Sequence, residues 1–373
     1  MEFALETIAN PMEVEARWRT LQRRSPTPFF LGWNWMAAWL AATRVRPMLL
    51  SGRSGGQEQA LAFISRSSSA DSSGRSGSVV ALNEVGDGIH DVGFIEYNGL
   101  VGVPRDDALA SELARFFLAA RADGLLAHWE EIRFSGVPFA WAEQFSKAGF
   151  WVSVRAEQAT YAVDLGSLRE RGRGALDDMT SSTRRQIRRA RRLYEATGEL
   201  RLIRAQGPTA QRAALDDLAS LHQARWRARG KPGAFASPIF VALVDELLAR
   251  SGPADGVEIL RACVGQRTIG LLLNLTAGGD VLNYQSAFVD EADNRLKPGL
   301  LTHALAIDHY LKSGRGVYDL LAGDARYKAS LAAPRERLVW LSIRPRTLGA
   351  VLSMGRRWAG QRIRRALAPN TGV

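Results

Sequence analysis

The stretch best suited to holding a phosphate group is Arg295 to Leu300, which reads Arg-Leu-Lys-Pro-Gly-Leu between a strand-like run and a helix-like run. We expect a helix to begin there, and a helix N-terminus presents unpaired N–H groups and a partial positive charge to an anion. Pro298 loses no needed donor in a first turn, and Gly299 lets a ligand approach closely. Arg295 and Lys297 add positive charge. On spacing alone, an ordinary helix start accounts for the same residues.

Proton-transferring side chains follow a predicted strand at Val317 to Leu321. Asp324, Tyr327 and Lys328 come directly after Gly323, and together they can accept a proton, donate one and neutralise negative charge. A solvated surface turn accounts for the same cluster.

A third candidate group lies on a predicted helix from about Pro208 to Arg227, which carries His222 and Trp226. A lone histidine on a mostly apolar helix face is more often a core residue than a catalyst.

These candidates lie in a chain of 373 residues, a length that predicts two domains. Hydrophobic residues make up 46% and charged residues 23%, so the chain can bury a core. Cys263 is the only cysteine, which excludes a disulfide framework, a Cys-rich zinc site and an iron–sulfur cluster. No secretory signal is visible, and no apolar run approaches the ~20 residues of a membrane span. We expect a soluble, cytoplasmic protein.

Charge divides the chain into two unlike halves. Residues 1–165 carry 15 Lys/Arg and 19 Asp/Glu, whereas residues 166–373 carry 34 and 19. The basic half favours an anionic partner: nucleic acid, lipid headgroups, or a phosphorylated substrate. A general preference for arginine accounts for the excess equally well, because only five of the 49 cations are lysines.

Part of that charge lies on one predicted amphipathic helix around residues 179–194. At 100° per residue, Ile187, Ala190 and Tyr194 share one side of the helix. The opposite face carries six arginines, Arg184, Arg185, Arg188, Arg189, Arg191 and Arg192. A second basic amphipathic helix is predicted in the tail, within residues 345–373. Either helix could bind nucleic acid or an anionic membrane surface.

Strands and helices alternate through both halves, which indicates an α/β or α+β fold. In the first half we predict a Trp-rich helix at Phe29 to Ala42, strands at Ala60 to Ser65 and Ser78 to Asn83, and a flexible hairpin tip at Arg66 to Gly77. In the second half we predict three antiparallel strands between Val257 and Phe288, then the helix that begins at Pro298.

Five segments in a fixed order carry a resemblance to a known family. They are Ser182–Ala190, Leu221–His222 with Trp226, Tyr284–Phe288, Lys297–Leu301, and Gly323–Asp324 with Tyr327–Lys328. In this order they resemble the GNAT acetyltransferases, specifically the double-domain CelD/BcsL-like branch associated with cellulose and exopolysaccharide synthesis, which is related to the Fem peptidyltransferases. The resemblance implies tandem GNAT-like domains, each a mixed, largely antiparallel sheet flanked by helices. We expect a degenerate domain at 1–165, an acyltransferase domain at 166–344 and a tail helix at 345–373.

The resemblance also implies a reaction, the direct attack of an amine on the thioester of acetyl-CoA or another acyl-CoA, without a metal. Arg295, Lys297, Pro298, Gly299 and Leu300 would bind the donor. Tyr327 would protonate the thiolate, Asp324 or His222 would be the base, and Lys328 would neutralise negative charge. Tyr284, Gln285 and Trp226 would bind the acceptor, which we expect to be a saccharide or small-molecule amine of envelope biosynthesis.

The donor loop departs from the usual GNAT pattern, Arg/Gln-x-x-Gly-x-Gly/Ala. Arg295 precedes Gly299 by four residues, and Leu301 stands at the second glycine. The donor therefore stays open among acetyl-CoA, a longer acyl-CoA and an acyl carrier protein. By resemblance to the Fem branch it extends to aminoacyl-tRNA. The alternative is a non-catalytic accessory protein that binds nucleic acid or an anionic membrane.

Overall fold

All twelve strands of the described residues join one sheet. A computed structural model describes residues 1–70, 76–122, 126, 129–252 and 255–346. The strands are β1 (Glu2–Glu6), β2 (Met48–Ser54), β3 (Gln57–Ala70), β4 (Ser76–Leu82), β5 (Glu131–Pro138), β6 (Phe150–Asp164), β7 (Leu200–Arg204), β8 (Gly256–Val264), β9 (Arg267–Ala277), β10 (Asp280–Phe288), β11 (Val317–Ala322) and β12 (Ala333–Pro345). Their order in the sheet is β1-β2-β3-β4-β5-β12-β6-β11-β10-β9-β8-β7.

Helices cover both faces of this sheet. They are α1 (Glu15–Arg24), α2 (Trp33–Thr43), α3 (Asp107–Ala122), α4 (Ala140–Lys147), α5 (Leu165–Glu170), α6 (Ser181–Glu195), α7 (Gly207–Arg227), α8 (Pro238–Ala249), α9 (Pro298–Lys312) and α10 (Arg326–Leu331). The predicted fold class, α/β with a mixed and largely antiparallel sheet flanked by helices, is confirmed.

The two halves repeat one strand pattern. β1 to β4 pair antiparallel in sequence order and β4 then pairs parallel with β5. In the same way, β7 to β10 pair antiparallel and β10 pairs parallel with β11. Each half thus has four antiparallel strands followed by one parallel pair. This parallel pair is β4–β5 in the first half and β10–β11 in the second, and its two strands can diverge.

The expectation of a separate sheet in each half needs correction. The last strand of each half crosses to the other half, since β6 pairs with β11 and β12 pairs with β5. β6 and β12 also pair with each other over almost their full length, from Phe150↔Pro345 to Ala162↔Ala333. This exchange fuses the two sheets into one, and the boundary between residues 165 and 166 stays a prediction.

The hydrophobic core consists of three clusters, one covered by helices from both halves and two covered by helices from a single half. On one face, α1 and α2 of the first half and α7 and α8 of the second half share a single apolar cluster, with α2 packed against α8. On the other face, α3 and α4 cover one cluster, and α5, α6 and α9 cover another. The two halves are therefore joined both through the sheet and through one of its faces.

Several element boundaries differ from the sequence prediction. Both ends of the predicted hairpin tip belong to strands, because β3 continues to Ala70 and β4 begins at Ser76, and residues 71–75 lie outside the described residues. The predicted helix at Phe29 to Ala42 is divided into a 3₁₀ turn at Phe29–Leu31 and then α2, and β1 was missed. The predicted tail helix lies outside the described residues beyond 346. None of the helices in the described residues has the length and apolar content needed to cross a lipid bilayer.

Candidate functional site

The parallel strands β10 and β11 diverge after a short contact. They pair only at Val281↔Tyr318 and Leu282↔Asp319. Beyond this point β10 has a bulge between Asn283 and Gln285, and β11 loses its regular register with β6 after Asp319. A bulge bends a strand and leaves backbone groups without ladder partners. We call the space between residues 283–288 of β10 and 320–322 of β11 the β10–β11 opening.

Helix α9 begins beside this opening, as the sequence predicts. Pro298 is in its first turn, Lys297 is the N-cap residue, and no side chain caps the helix. The first N–H groups of a helix have no intrahelical acceptor, so those of Gly299 and Leu300 are available to an anion. A Cβ added to Gly299 would lie 3.3 Å from the ring of Phe288. Glycine is therefore the residue that keeps this helix start open.

The two cations predicted to hold the donor differ in their surroundings. Arg295 is exposed and is bound by Asp293, with 2.7 Å between Nη2 and Oδ2, so much of its charge is balanced within the loop. This contact lowers the pKa of the Asp293 carboxyl to about 2. Lys297 forms no ion pair in the described part of the chain. Leu300 packs on the core beneath α6 and α9.

Tyr327 and Lys328 lie on α10, just after β11, and Asp324 lies exposed in the turn before it. The Tyr327 ring stacks on His303 of α9 with centroids 5.4 Å apart, and burial raises the pKa of its phenol. The Lys328 Nζ donates to the carbonyl oxygens of Leu321 at 3.3 Å and Ala322 at 2.5 Å. Burial lowers the pKa of this lysine. The predicted cluster is thus assembled at the end of β11.

His303 is a buried residue that sequence reasoning missed. Its Nδ1 is 3.0 Å from the Tyr318 hydroxyl, and its Nε2 has no partner among the described residues. Burial lowers the pKa of the ring to about 3, so the imidazole is neutral at physiological pH. The His303 ring stacks on the Tyr327 ring and limits its movement. Its place inside an apolar helix gave no signal in the sequence.

His222 and Trp226 lie on a different helix, α7. His222 is 5% exposed and its Nδ1 is 3.2 Å from the side-chain oxygen of Gln223. Burial lowers the pKa of this histidine. Ring contacts lead from His222 through Phe235 and Phe240 to Tyr284. The sequence candidates therefore form two groups, one at α10 and one at α7.

Tyr284 joins the two halves of the chain. Its hydroxyl donates to the carbonyl oxygen of Gly93 at 2.6 Å, and its ring is packed against Trp35. With 8% of its surface exposed, Tyr284 is committed to this contact rather than open to solvent. Its neighbour Gln285, at the bulge of β10, is half-buried.

The segment that reaches Tyr284 from the first half, Gly93–Tyr97, continues along the β10–β11 opening, and we call it the inserted segment. Glu96 Oε2 accepts a hydrogen bond from the Ala322 backbone N–H at 2.7 Å. The Tyr97 hydroxyl donates to Asp319 Oδ2 at 2.6 Å. Asp319 is fully buried, and burial raises the pKa of its carboxyl against the opposing effect of Tyr97 and Arg335.

Sequence reasoning missed Glu96, Tyr97 and Asp319. The one available signal was Asp319 itself, a carboxylate in the middle of the apolar run of β11. Its partner lies 222 residues away, which no local pattern reveals.

The corresponding position of the first half is filled by its own chain. β4 and β5 pair only from Val79↔Glu131 to Ala81↔Arg133 and then diverge. Asn98 occupies the space, since its N–H donates to the Gly136 oxygen and its Nδ2 to the Leu82 oxygen, both at 3.0 Å. The two halves also differ in the helix that follows: Asp106 Oδ1 accepts the Leu109 N–H at the start of α3, whereas no side chain caps α9.

Helix α6 presents its predicted arginine face to solvent. Thr183, Ile187, Ala190 and Tyr194 are buried against the protein. Arg191 pairs with Glu195, and Arg184 donates to the Asp177 oxygen. Within the described part of the chain, Arg185, Arg188, Arg189 and Arg192 form no ion pair. This surface is near the α9 start, because Arg189 helps to lower the pKa of Asp293.

Among the described residues, no three His, Cys, Asp or Glu side chains are grouped closely enough to hold a metal ion.

Comparison with known proteins finds one family match, in the second half of the chain, and several similar folds. Residues 181–329 match the profile of the family described as acetyltransferase (GNAT) domain. Among curated protein sequences none matches this chain. The crystal structure of FemX aligns with 91% of this chain over 97% of the FemX chain, at 11% sequence identity and a TM-score of 0.58. The C-terminal domain of a putative lysylphosphatidylglycerol synthetase from Agrobacterium fabrum aligns with 92% and 95%, at 11% identity and TM-score 0.53.

At these identities the solved structures are evidence for the fold alone. The family match covers the part of the chain that contains α6, the β10–β11 opening, α9 and most of α10. Residues 181–329 thus match the GNAT acetyltransferase domain family, within a chain whose overall fold is similar to that of FemX.

Proposed function

We propose that the protein is an acyl-CoA-dependent N-acyltransferase. The observation that carries the proposal is the uncapped start of α9 beside the β10–β11 opening. An uncapped helix N-terminus binds a phosphate group, and diverging parallel strands offer backbone groups to an extended ligand. The match of residues 181–329 to the GNAT acetyltransferase domain supports the same reaction class.

In this proposal the donor is held at its pyrophosphate and positioned at its thioester. The N–H groups of Gly299 and Leu300, with Lys297 beside Pro298, bind the pyrophosphate. Arg295 contributes less than its charge suggests, because Asp293 already binds its guanidinium. Tyr327, fixed by His303, protonates the leaving thiolate. Lys328 keeps positive charge at the end of β11.

The residues predicted from the sequence as the general base are Asp324 and His222, either of which would accept the amine proton directly or through a water molecule. Asp324 is exposed and its charge acts on Lys328, whereas the ring of His222 contacts Phe235. Trp226 on α7 and Gln285 on β10 are half-buried, and we assign these two residues to the acceptor; Tyr284 is buried and does not contact it. By resemblance to the CelD/BcsL-like branch, the acceptor is an amine of a saccharide or envelope precursor. A cytoplasmic location is proposed from the single cysteine, which fits a reducing compartment.

The test is a comparison of donors. We expect acetyl-CoA or a longer acyl-CoA to raise the melting temperature, and an added amine to release the free thiol of CoA, which a thiol reagent detects. The same assay with an acyl-loaded carrier protein separates the two kinds of thioester. If no thioester raises the melting temperature or releases its thiol, the proposal is wrong.

The arginine face of α6 favours a second candidate, a Fem-like transferase that takes its acyl group from aminoacyl-tRNA. The surface is close to the α9 start and carries four arginines without an ion pair in the described residues. Phosphate contacts of this kind give strongly salt-dependent binding. We expect such an enzyme to bind tRNA at low salt and to transfer an amino acid from it. Binding of anionic vesicles instead would indicate an accessory protein on a membrane.

A further inference from the structure

The inserted segment places one carboxylate of the first half inside the site of the second half. The Glu96 side chain reaches the end of β11 and accepts the backbone N–H of Ala322. Gly93 and Tyr97 hold the two ends of the segment, through Tyr284 and Asp319 respectively. Glu96 is 8% exposed, so it is enclosed but keeps a path to solvent.

We propose that Glu96 is the general base that deprotonates the acceptor amine, so that the first half of the chain supplies a catalytic group to the second. The inference rests on the proposed acyl transfer. It replaces Asp324 and His222 in that role, because Glu96 alone among the three is buried against the end of β11. The first half, whose own strand divergence is filled by Asn98, then contributes chemistry rather than a second donor site.

The groups around Glu96 suit a base that works near neutral pH. Burial raises the pKa of its carboxyl to about 7, while the charge of Lys328 and the Ala322 N–H oppose this and Asp319 adds to it. The remaining ionisable groups that face it are the buried Tyr284 phenol on β10 and, beyond Lys328, Asp324. A base is most effective when its pKa is near the working pH.

The proton and the bonds balance without a further reactant. Glu96 takes one proton from the ammonium form of the acceptor. The free amine attacks the thioester carbon, a C–N bond forms, and the C–S bond breaks. The second amine proton leaves to solvent as the thiolate receives one from Tyr327, and an amide and a thiol result. Solvent then returns a proton to Tyr327 and takes the one held by Glu96.

A purely structural role, holding Ala322 in place, makes a different prediction. Glu96→Gln keeps an oxygen that accepts the Ala322 N–H, and it removes only the ability to take a proton. Glu84→Gln is the matched control, because Glu84 is equally exposed at 8% and lies beside the strand divergence of the first half.

The experiment uses acetyl-CoA with two amines and detects the released thiol. Ethanolamine is protonated at neutral pH and needs a base, whereas hydroxylamine is unprotonated and does not. For Glu96→Gln we expect turnover with ethanolamine to fall about 10²–10⁴-fold and to lose its acid limb. Turnover with hydroxylamine falls less than about ten-fold, and the affinity for acetyl-CoA is unchanged. Glu84→Gln keeps the parental rate with both amines.

The outcomes separate the two proposals. If Glu96→Gln matches the parent with ethanolamine at every pH, Glu96 is not the base, and acyl transfer by another base stands. If the parent itself neither binds acetyl-CoA nor releases thiol, the proposed function and this inference both fail. If Glu96→Gln does not fold, Glu96→Asp replaces it: a lower rate that keeps the acid limb supports the base, and a parental rate overturns it.

Discussion

Tyr97 and Asp319 form a buried hydrogen bond between the two halves of the chain. The Tyr97 hydroxyl is 2.6 Å from Asp319 Oδ2, and Arg335 Nη1 is 3.0 Å from the same oxygen. Asp319 Oδ1 accepts the Leu321 N–H at 2.7 Å, and Leu321 has a left-handed backbone with φ of 62°. One carboxylate therefore both shapes the irregular end of β11 and anchors the inserted segment, so the geometry of the site depends on contact between the halves.

Tyr97→Phe removes the donor of this bond and leaves the ring. A hydrogen bond to a charged group contributes about 1.5–3 kcal/mol, so we expect the free energy of unfolding to fall by that amount. Urea denaturation measures it. Tyr161→Phe on β6 is the control, and equal stability of the two variants would show that the Tyr97 hydroxyl does not join the halves.

Tyr327→Phe tests the proposed acid. Phenylalanine keeps the stacking on His303 but lacks the hydroxyl group that would donate the proton. Donor affinity should therefore persist while kcat falls about 10²–10⁴-fold. The dissociation constant for acetyl-CoA and kcat are measured on the same preparation. Unchanged turnover would assign the protonation of the thiolate to water or to another residue.

Lys328→Met tests the charge beside Glu96. The lysine lowers the pKa of the Glu96 carboxyl, so its loss should raise that pKa and move the acid limb of kcat to higher pH. Donor binding should also weaken and depend less on salt, because a cation is removed near a phosphorylated ligand. Lys312→Met, at an exposed lysine paired with Asp308, is the control. An acid limb at the parental pH would contradict the assignment of that limb to Glu96.

Glu84→Gln has a predicted effect on stability that depends on pH. Burial and the charge of Asp91 raise the pKa of Glu84 to about 8, from an ordinary value of 4.5. Between these values the unfolded state has released a proton that the folded state keeps, so the parent loses stability as pH rises. We expect the free energy of unfolding of the variant to rise relative to that of the parent by up to about 1.4 kcal/mol per pH unit over this range. Urea titrations at pH 4.5 and 8 measure the difference, and a constant difference would contradict it.

Features fixed by local sequence were predictable. The start of α9 at Pro298 follows from a proline and a glycine before an apolar run, and it is confirmed. The inward face of α6, with Ile187, Ala190 and Tyr194, follows from its helical period and is also confirmed.

Features that depend on the exchange of β6 and β12 were not predictable. Glu96 meets Ala322 across 226 residues, and only the joined sheet brings them together. His303 escaped notice because a buried histidine in an apolar helix has no pattern of its own. The sequence therefore predicted the helix start at Pro298, and it missed the groups that the first half contributes.

The most direct test of the account is calorimetric titration of CoA into three proteins: the parent, Gly299→Glu and Thr209→Glu. The first substitution places a carboxylate at the start of α9, against Phe288, where it would repel the pyrophosphate. The second places the same charge at the start of α7, on an exposed residue. We expect the parent and Thr209→Glu to bind CoA equally and Gly299→Glu to show no binding while remaining folded. CoA binding by Gly299→Glu at the parental affinity would contradict the proposed donor site.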